Sequence, residues 1–70
     1  SELYFKLNEA IACKTSIKIL YENLNQEWQE RIIHPLQIFN FDNKFYVTAY
    51  CELRDDIRHF EISRIKLNKK

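Results

Sequence analysis

The side chains able to do chemistry in this chain are basic and aromatic, and they are interleaved. Arg31 and His34 lie on one stretch, Phe45, Tyr46 and Tyr50 on the next, and Arg58, His59, Phe60 and Arg64 on the last. An arginine grips a phosphate or carboxylate through a planar fork of N–H donors. An aromatic face stacks a base with little regard to its identity, for about 1–3 kcal/mol per base. If the three stretches are neighbours in space, the set converges on one groove for a nucleic acid or nucleotide. The same residues also have a purely structural use. Phe45, Phe60 and some tyrosines would then fill a core, and the arginines would pair with Glu30, Glu52, Asp55 or Glu61. Spacing alone leaves both uses open.

Other chemistries are poorly served. Cys51 with His34 or His59 would make a thiol–imidazole pair, but nothing activates the thiol and no oxyanion device accompanies it. Asp55 and Asp56 read as turn chemistry. The two histidines and two cysteines do not sit at metal-ligand spacing. Glycine is absent altogether, where average usage of roughly 7% would give about five. Its absence removes the P-loop, the dinucleotide-binding G-x-G-x-x-G, the EF-hand loop and the G-x-S-x-G elbow, all of which depend on glycine's backbone freedom. No enzyme and no cofactor is implied. Any anion site has to be built from side chains.

The elements that must position these groups are small. With 70 residues the chain is one domain, and 46% hydrophobic with 30% charged residues is a globular composition. The net charge of +1 conceals an asymmetry: residues 1–30 carry −2 and residues 31–70 carry +3. Cys13 and Cys51 are too few for a disulfide scaffold, and Cys51 reads as a small buried thiol. No apolar run approaches the roughly 18 residues of a membrane span, and no signal peptide is evident, so the expected setting is cytoplasmic and away from membranes.

Leu3, Leu7, Ala10 and Ile11 form one helical stripe over residues 2–13, with Ser1 placed to cap it. Ile17, Ile19 and Tyr21 alternate with polar neighbours as a strand. Residues 22–28 read as a polar turn or short hairpin arm, with Asn23 and Asn25 able to take left-handed conformations. Residues 29–41 are extended, with Pro35 demanding an edge, a bulge or a break. Asp42-Asn43 marks a tight hairpin. In residues 44–53, Phe45, Val47, Ala49 and Cys51 share one face and Tyr46, Thr48 and Tyr50 the other. A turn at 54–56 leads to a strand at 57–63 with Phe60 and Ile62 facing the core. One helix (about 2–13) and a small, strongly bent five-stranded barrel (about 15–67) account for the pattern, with Ile17, Ile19, Ile33, Val47, Phe60, Ile62 and Ile65 buried together.

The run from Glu30 to Ile65 resembles the WYL domain. Arg31, Ile33, Pro35 and Leu36 match an arginine followed by a hydrophobic–x–Pro strand. Phe45-Tyr46-Val47 stands at the Trp-Tyr-Leu position, followed by Ala49-Tyr50-Cys51. Phe60, Ile62, Arg64 and Ile65 match the closing segment, and residues 7–23 match the helix and first strand. The departures are apolar for apolar at Phe45 and Val47, Asp42-Asn43-Lys44 in a hairpin that often holds glycine, and Glu61 where a basic residue is usual. The resemblance implies a mainly β, SH3/Sm-like five-stranded barrel with an N-terminal helix, a piece of a larger bacterial protein. It implies binding of single-stranded DNA or a nucleotide-like ligand, and regulation of covalently attached helicase or regulator domains. Carried over by motif position, the ligand face would hold Arg31, Tyr46, Arg58 and Arg64, with Tyr21, His34, Tyr50 and His59 in support. In the family's transcription regulators a further region usually follows the barrel. A natural end at Lys70 would instead favour a helicase, with the domain as an accessory grip on single strands. Self-association is a further use open to such a module.

Overall fold

The computed structural model describes residues 1–67; the end of the lysine-rich tail, Lys69 and Lys70, lies outside the described residues. The order is α1 (Glu2–Cys13), β1 (Ile17–Glu22), β2 (Trp28–Phe41), β3 (Lys44–Cys51), β4 (Asp56–Glu61), a short 3-10 turn η1 (Ile62–Arg64) and β5 (Ile65–Leu67). The five strands form one antiparallel sheet in the order β4-β3-β2-β1-β5. The mainly β reading, with one N-terminal helix, is borne out.

α1 begins where expected. The Ser1 hydroxyl accepts from the Tyr4 N–H at 3.3 Å, and Glu2 adds a favourable charge to the first turn. It ends at Lys14, whose left-handed backbone (φ 55°) returns its N–H to the Ala10 carbonyl. Leu7 and Ala10 are buried against the sheet.

β2 holds the sheet together. Its first part, Trp28 to Ile33, pairs with β1, and its second, Ile33 to Phe41, pairs with β3. The register slips between Pro35 and Gln37, leaving Leu36 as the extra residue. Proline has no N–H for the ladder, and the bulge both absorbs that loss and bends the strand. The bend brings distant strands together. β1 and β4 are not neighbours in the sheet, yet the Tyr21 and Phe60 rings meet edge-on at 4.9 Å. The Tyr21 hydroxyl also accepts from the Glu61 N–H at 3.2 Å. Side chains thus close the barrel on that side. Inside it lie Leu7, Ile19, Ile33, Val47, Ala49, Cys51, Phe60, Ile62 and Ile65, with Ile17 half-buried beside them.

Three local expectations are corrected. In the β1–β2 turn it is Gln26 (φ 64°), not Asn23 or Asn25, that takes the left-handed backbone. Asn23 works through its side chain, whose Oδ1 accepts from the N–H groups of Asn25 (2.9 Å) and Glu27 (3.0 Å). The hairpin at Asp42 (φ 55°) and Asn43 (φ 62°) is the expected two-residue turn. Phe45 does not fill the core; it is 49% exposed and meets Tyr4 of α1 edge-on. The last long strand stops at Glu61, because residues 62–64 turn as η1.

Candidate nucleic-acid and ligand interface

The two-residue period of the strands sorts the candidate residues onto two faces. Tyr21, Arg31 and Arg58 belong to the face that also carries Ile19, Cys51 and Phe60. Tyr46, Tyr50, His34 and His59 belong to the opposite face, where His34 stands across from Tyr50 and Thr48 across from His59. The eight residues of the expected ligand face therefore do not share one side of the sheet.

On the inward side, Arg31, Arg58 and Arg64 come together with Tyr21 around a cavity of about 290 Å³. Arg54, from the turn between β3 and β4, joins them, so every arginine of the sequence lines this cavity. Glu22, Asn23, Leu24 and Phe60 complete the wall. His59 also borders it, but its ring makes its contacts on the other face, with Thr48 Oγ1 at 2.9 Å and edge-on to Phe39.

The charges in this cavity are poorly compensated. Arg31 is only 8% exposed. One terminal nitrogen donates to the Gln29 side-chain oxygen at 3.0 Å, the other points at the Cys51 sulfur at 3.6 Å, and Nε has no partner. Arg58 approaches Asp56 at 3.9 Å, with both side chains more than half exposed, a pair that solvent screens strongly. Among the described residues neither Arg54 nor Arg64 has an ion-pair partner. Three carboxylates that could have neutralised them are engaged elsewhere: Glu52 with His34, Asp55 with Tyr50, and Glu61 with Ser63. A cluster of like charges in a concave site raises the local concentration of anions.

Tyr21 is a strut rather than a free stacking face, because its ring packs on Phe60 and its hydroxyl holds the start of η1. Leu24 is the apolar group at the cavity wall. It is 86% exposed and stands on the turn that Asn23 locks. Reading the sequence missed both Arg54 and Leu24. Each sits in a segment read as a turn, and in Leu24 the signal was an apolar residue inside the polar run from Glu22 to Glu27.

The outward face is satisfied. His34 Nε2 lies 2.7 Å from a Glu52 oxygen, and Phe39 stacks on Tyr46 with centroids 5.3 Å apart. The Tyr50 hydroxyl donates to Asp55, which holds the phenol proton and raises its pKa above the ordinary value. A larger cavity, about 460 Å³, lies beside α1 and the β2–β3 hairpin, but none of the eight candidates reaches it. Cys13 and Cys51 are both free, and no group of three metal-ligating side chains occurs among the described residues. No helix among them is long and apolar enough to cross a membrane.

The WYL domain family matches residues 2–68. The DNA-binding transcriptional repressor CapW of Pseudomonas aeruginosa is 35% identical over 54 residues, covering 76% of this chain and 18% of the repressor. Proteasome accessory factor B/C (PafBC) of Arthrobacter aurescens has a similar structure, with a TM-score of 0.86 at 26% identity, over 93% of this chain and 10% of that one. The chain thus spans less than a fifth of either relative's length. It belongs to the WYL domain family.

Proposed function

We propose that this WYL domain is a non-enzymatic regulatory module of a larger bacterial protein, and that it binds single-stranded DNA through the arginine cavity. The observation that carries this reading is the convergence of Arg31, Arg54, Arg58 and Arg64 on one concavity where the carboxylates are fewer: Glu22 in the wall and Asp56 at 3.9 Å from Arg58. Phosphate is the anion that suits such a set, since planar guanidinium forks match its oxygens. Of the two parents expected from the sequence, regulator and helicase, similarity to a DNA-binding repressor supports the regulator. A signal held in this cavity would reach the attached regulator through the barrel.

Fluorescence anisotropy with labelled decathymidylate tests the reading. Binding at about 50 mM salt should weaken by an order of magnitude or more at about 200 mM, as counterion release requires. Arg58→Ala and Arg64→Ala should each weaken binding roughly tenfold, the scale of one charged hydrogen bond, with unchanged melting temperature. No binding at the lower salt sinks the proposal. A second reading, a sensor of one small nucleotide, is favoured by the cavity's size, which lies near the lower end of ligand pockets at about 290 Å³. It predicts saturable thermal stabilisation by a mononucleotide and no gain with oligomer length.

A further inference from the structure

We infer that Arg31 is a buried charge completed by the ligand's phosphate, so that occupancy of the cavity is converted into stability of the barrel core. This rests on the reading of the cavity as a phosphate site. Arg31 stands in the middle of β2, across from Ile19, and is 8% exposed. Its acceptors are an amide oxygen and a thiol, both neutral, and Nε has none. A buried cation normally faces a carboxylate, because desolvation is otherwise uncompensated. Here three of the other charges at the cavity, Arg54, Arg58 and Arg64, have the same sign and add repulsion, against the single carboxylate of Glu22 in its wall. Hydrophobic residues of similar size commonly replace such a charge without loss of stability. The ligand-free barrel is therefore expected to be no less stable without the charge of Arg31.

A phosphate oxygen at the cavity reverses the sign of this environment. It supplies the missing acceptor and turns the repulsion among four arginines into shared attraction. The effect reaches the core directly, because Arg31 contacts the sulfur of Cys51, a fully buried residue of β3, and sits one inward position from Ile33. Arg31 meets the phosphate and not the base. Tyr21 is committed to Phe60, and Tyr46 and Tyr50 lie on the far face, so no free aromatic ring of the candidate set faces the cavity.

The test is thermal unfolding of the 70-residue chain, alone and with three probes: decathymidylate, an abasic strand of equal length, and thymidine 3′,5′-bisphosphate. At a probe concentration of about a hundred times Kd the wild type should melt on the order of 10 °C higher. The abasic strand should match decathymidylate within about threefold in Kd, since both present the same phosphates. Arg31→Met without probe should melt at the wild-type temperature or up to about 5 °C above it. Its probe-induced shift should largely vanish, and Arg31→Leu should behave alike. Arg58→Ala should bind more weakly but leave the probe-free melt unchanged. A fall of several degrees in both probe-free Arg31 variants would make Arg31 a structural strut and overturn the inference. Wild-type Kd values for Arg31→Met, or an abasic strand weakened more than tenfold, would also overturn it while leaving DNA binding intact. Stabilisation by the bisphosphate equal to that by the strands would assign the phosphate to a small nucleotide and support the same role for Arg31. If the wild type binds none of the probes, this inference and the proposed function fall together.

Discussion

On the outward face of β2, β3 and β4, His34 lies against Glu52, His59 against Thr48, and Tyr50 donates to Asp55. On the inward face at the end of the same strands, Arg31 has an orphaned Nε, and Arg54 and Arg64 have no ion pair among the described residues. Both faces hold basic and aromatic side chains, the composition that suggested a nucleic-acid surface. They differ in what those side chains have left to offer. Native proteins satisfy nearly all buried polar groups, so the exception marks the place where a partner is expected. Composition suggests a type of ligand, while unsatisfied valence is the ground for proposing that the inward face takes it.

The sharpest way to break this comparison is through the aromatic pairs beneath the two faces. Tyr21–Phe60 is the inward pair and closes the barrel; Phe60 is 2% exposed. Phe39–Tyr46 is the outward pair, and both of its residues are half-buried. Phe60→Ala should cost about 3–5 kcal/mol, the usual penalty for emptying a buried aromatic site. Phe39→Ala should cost about 1 kcal/mol, because much of its ring already meets solvent. Urea unfolding of the two variants measures the gap. Equal losses would mean that the outward pair is as much a part of the core as the inward one.

A smaller effect separates the faces in binding. Arg54 was assigned no role by the sequence pattern, yet it lines the cavity. Arg54→Ala should reduce the slope of log K against log salt by about 0.7, the contribution of one phosphate contact on a single strand. Tyr46→Ala and His59→Ala should leave that slope and the affinity for decathymidylate unchanged within about twofold. A tenfold loss in Tyr46→Ala would show bases stacking on the outward face, and the ligand would then have to wrap round the strand edge.

The alternation that divides the faces was legible in the sequence, and it placed Tyr46 opposite Val47 correctly. The helix, the Asp42-Asn43 hairpin and the buried set from Ile19 to Ile65 followed from periodicity and turn chemistry alone. The same alternation forbids Arg58 and His59 from sharing a face, being adjacent, and Arg31 and His34 likewise, being three apart. Their side chains therefore leave the strands on opposite sides. What was not legible depends on the bend of β2. Only the bulge at Leu36 and the turn at Ile62–Arg64 bring Arg31, Arg54, Arg58 and Arg64 to one end of the barrel. Nor could spacing show which carboxylates would be taken up by His34, Tyr50 and Ser63 instead.

The smallest expected effect belongs to pH. Tyr50 is half-buried, and its hydrogen bond to Asp55, with partial burial and nearby carboxylate charge, raises its pKa above the ordinary 10.0. The folded phenol therefore keeps its proton at a pH where the unfolded chain has begun to lose it. The resulting stabilisation is complete below the unfolded value and disappears as pH rises through the folded one. Tyr50→Phe should accordingly show a flatter fall in melting temperature between about pH 9 and 11, while its affinity for decathymidylate at neutral pH stays that of the wild type. On the inward face the expected variable is salt, through the phosphate contacts of the arginines. A Tyr50→Phe variant that lost DNA binding would join the two faces into one site, since the only change is a hydroxyl on the face away from the arginines.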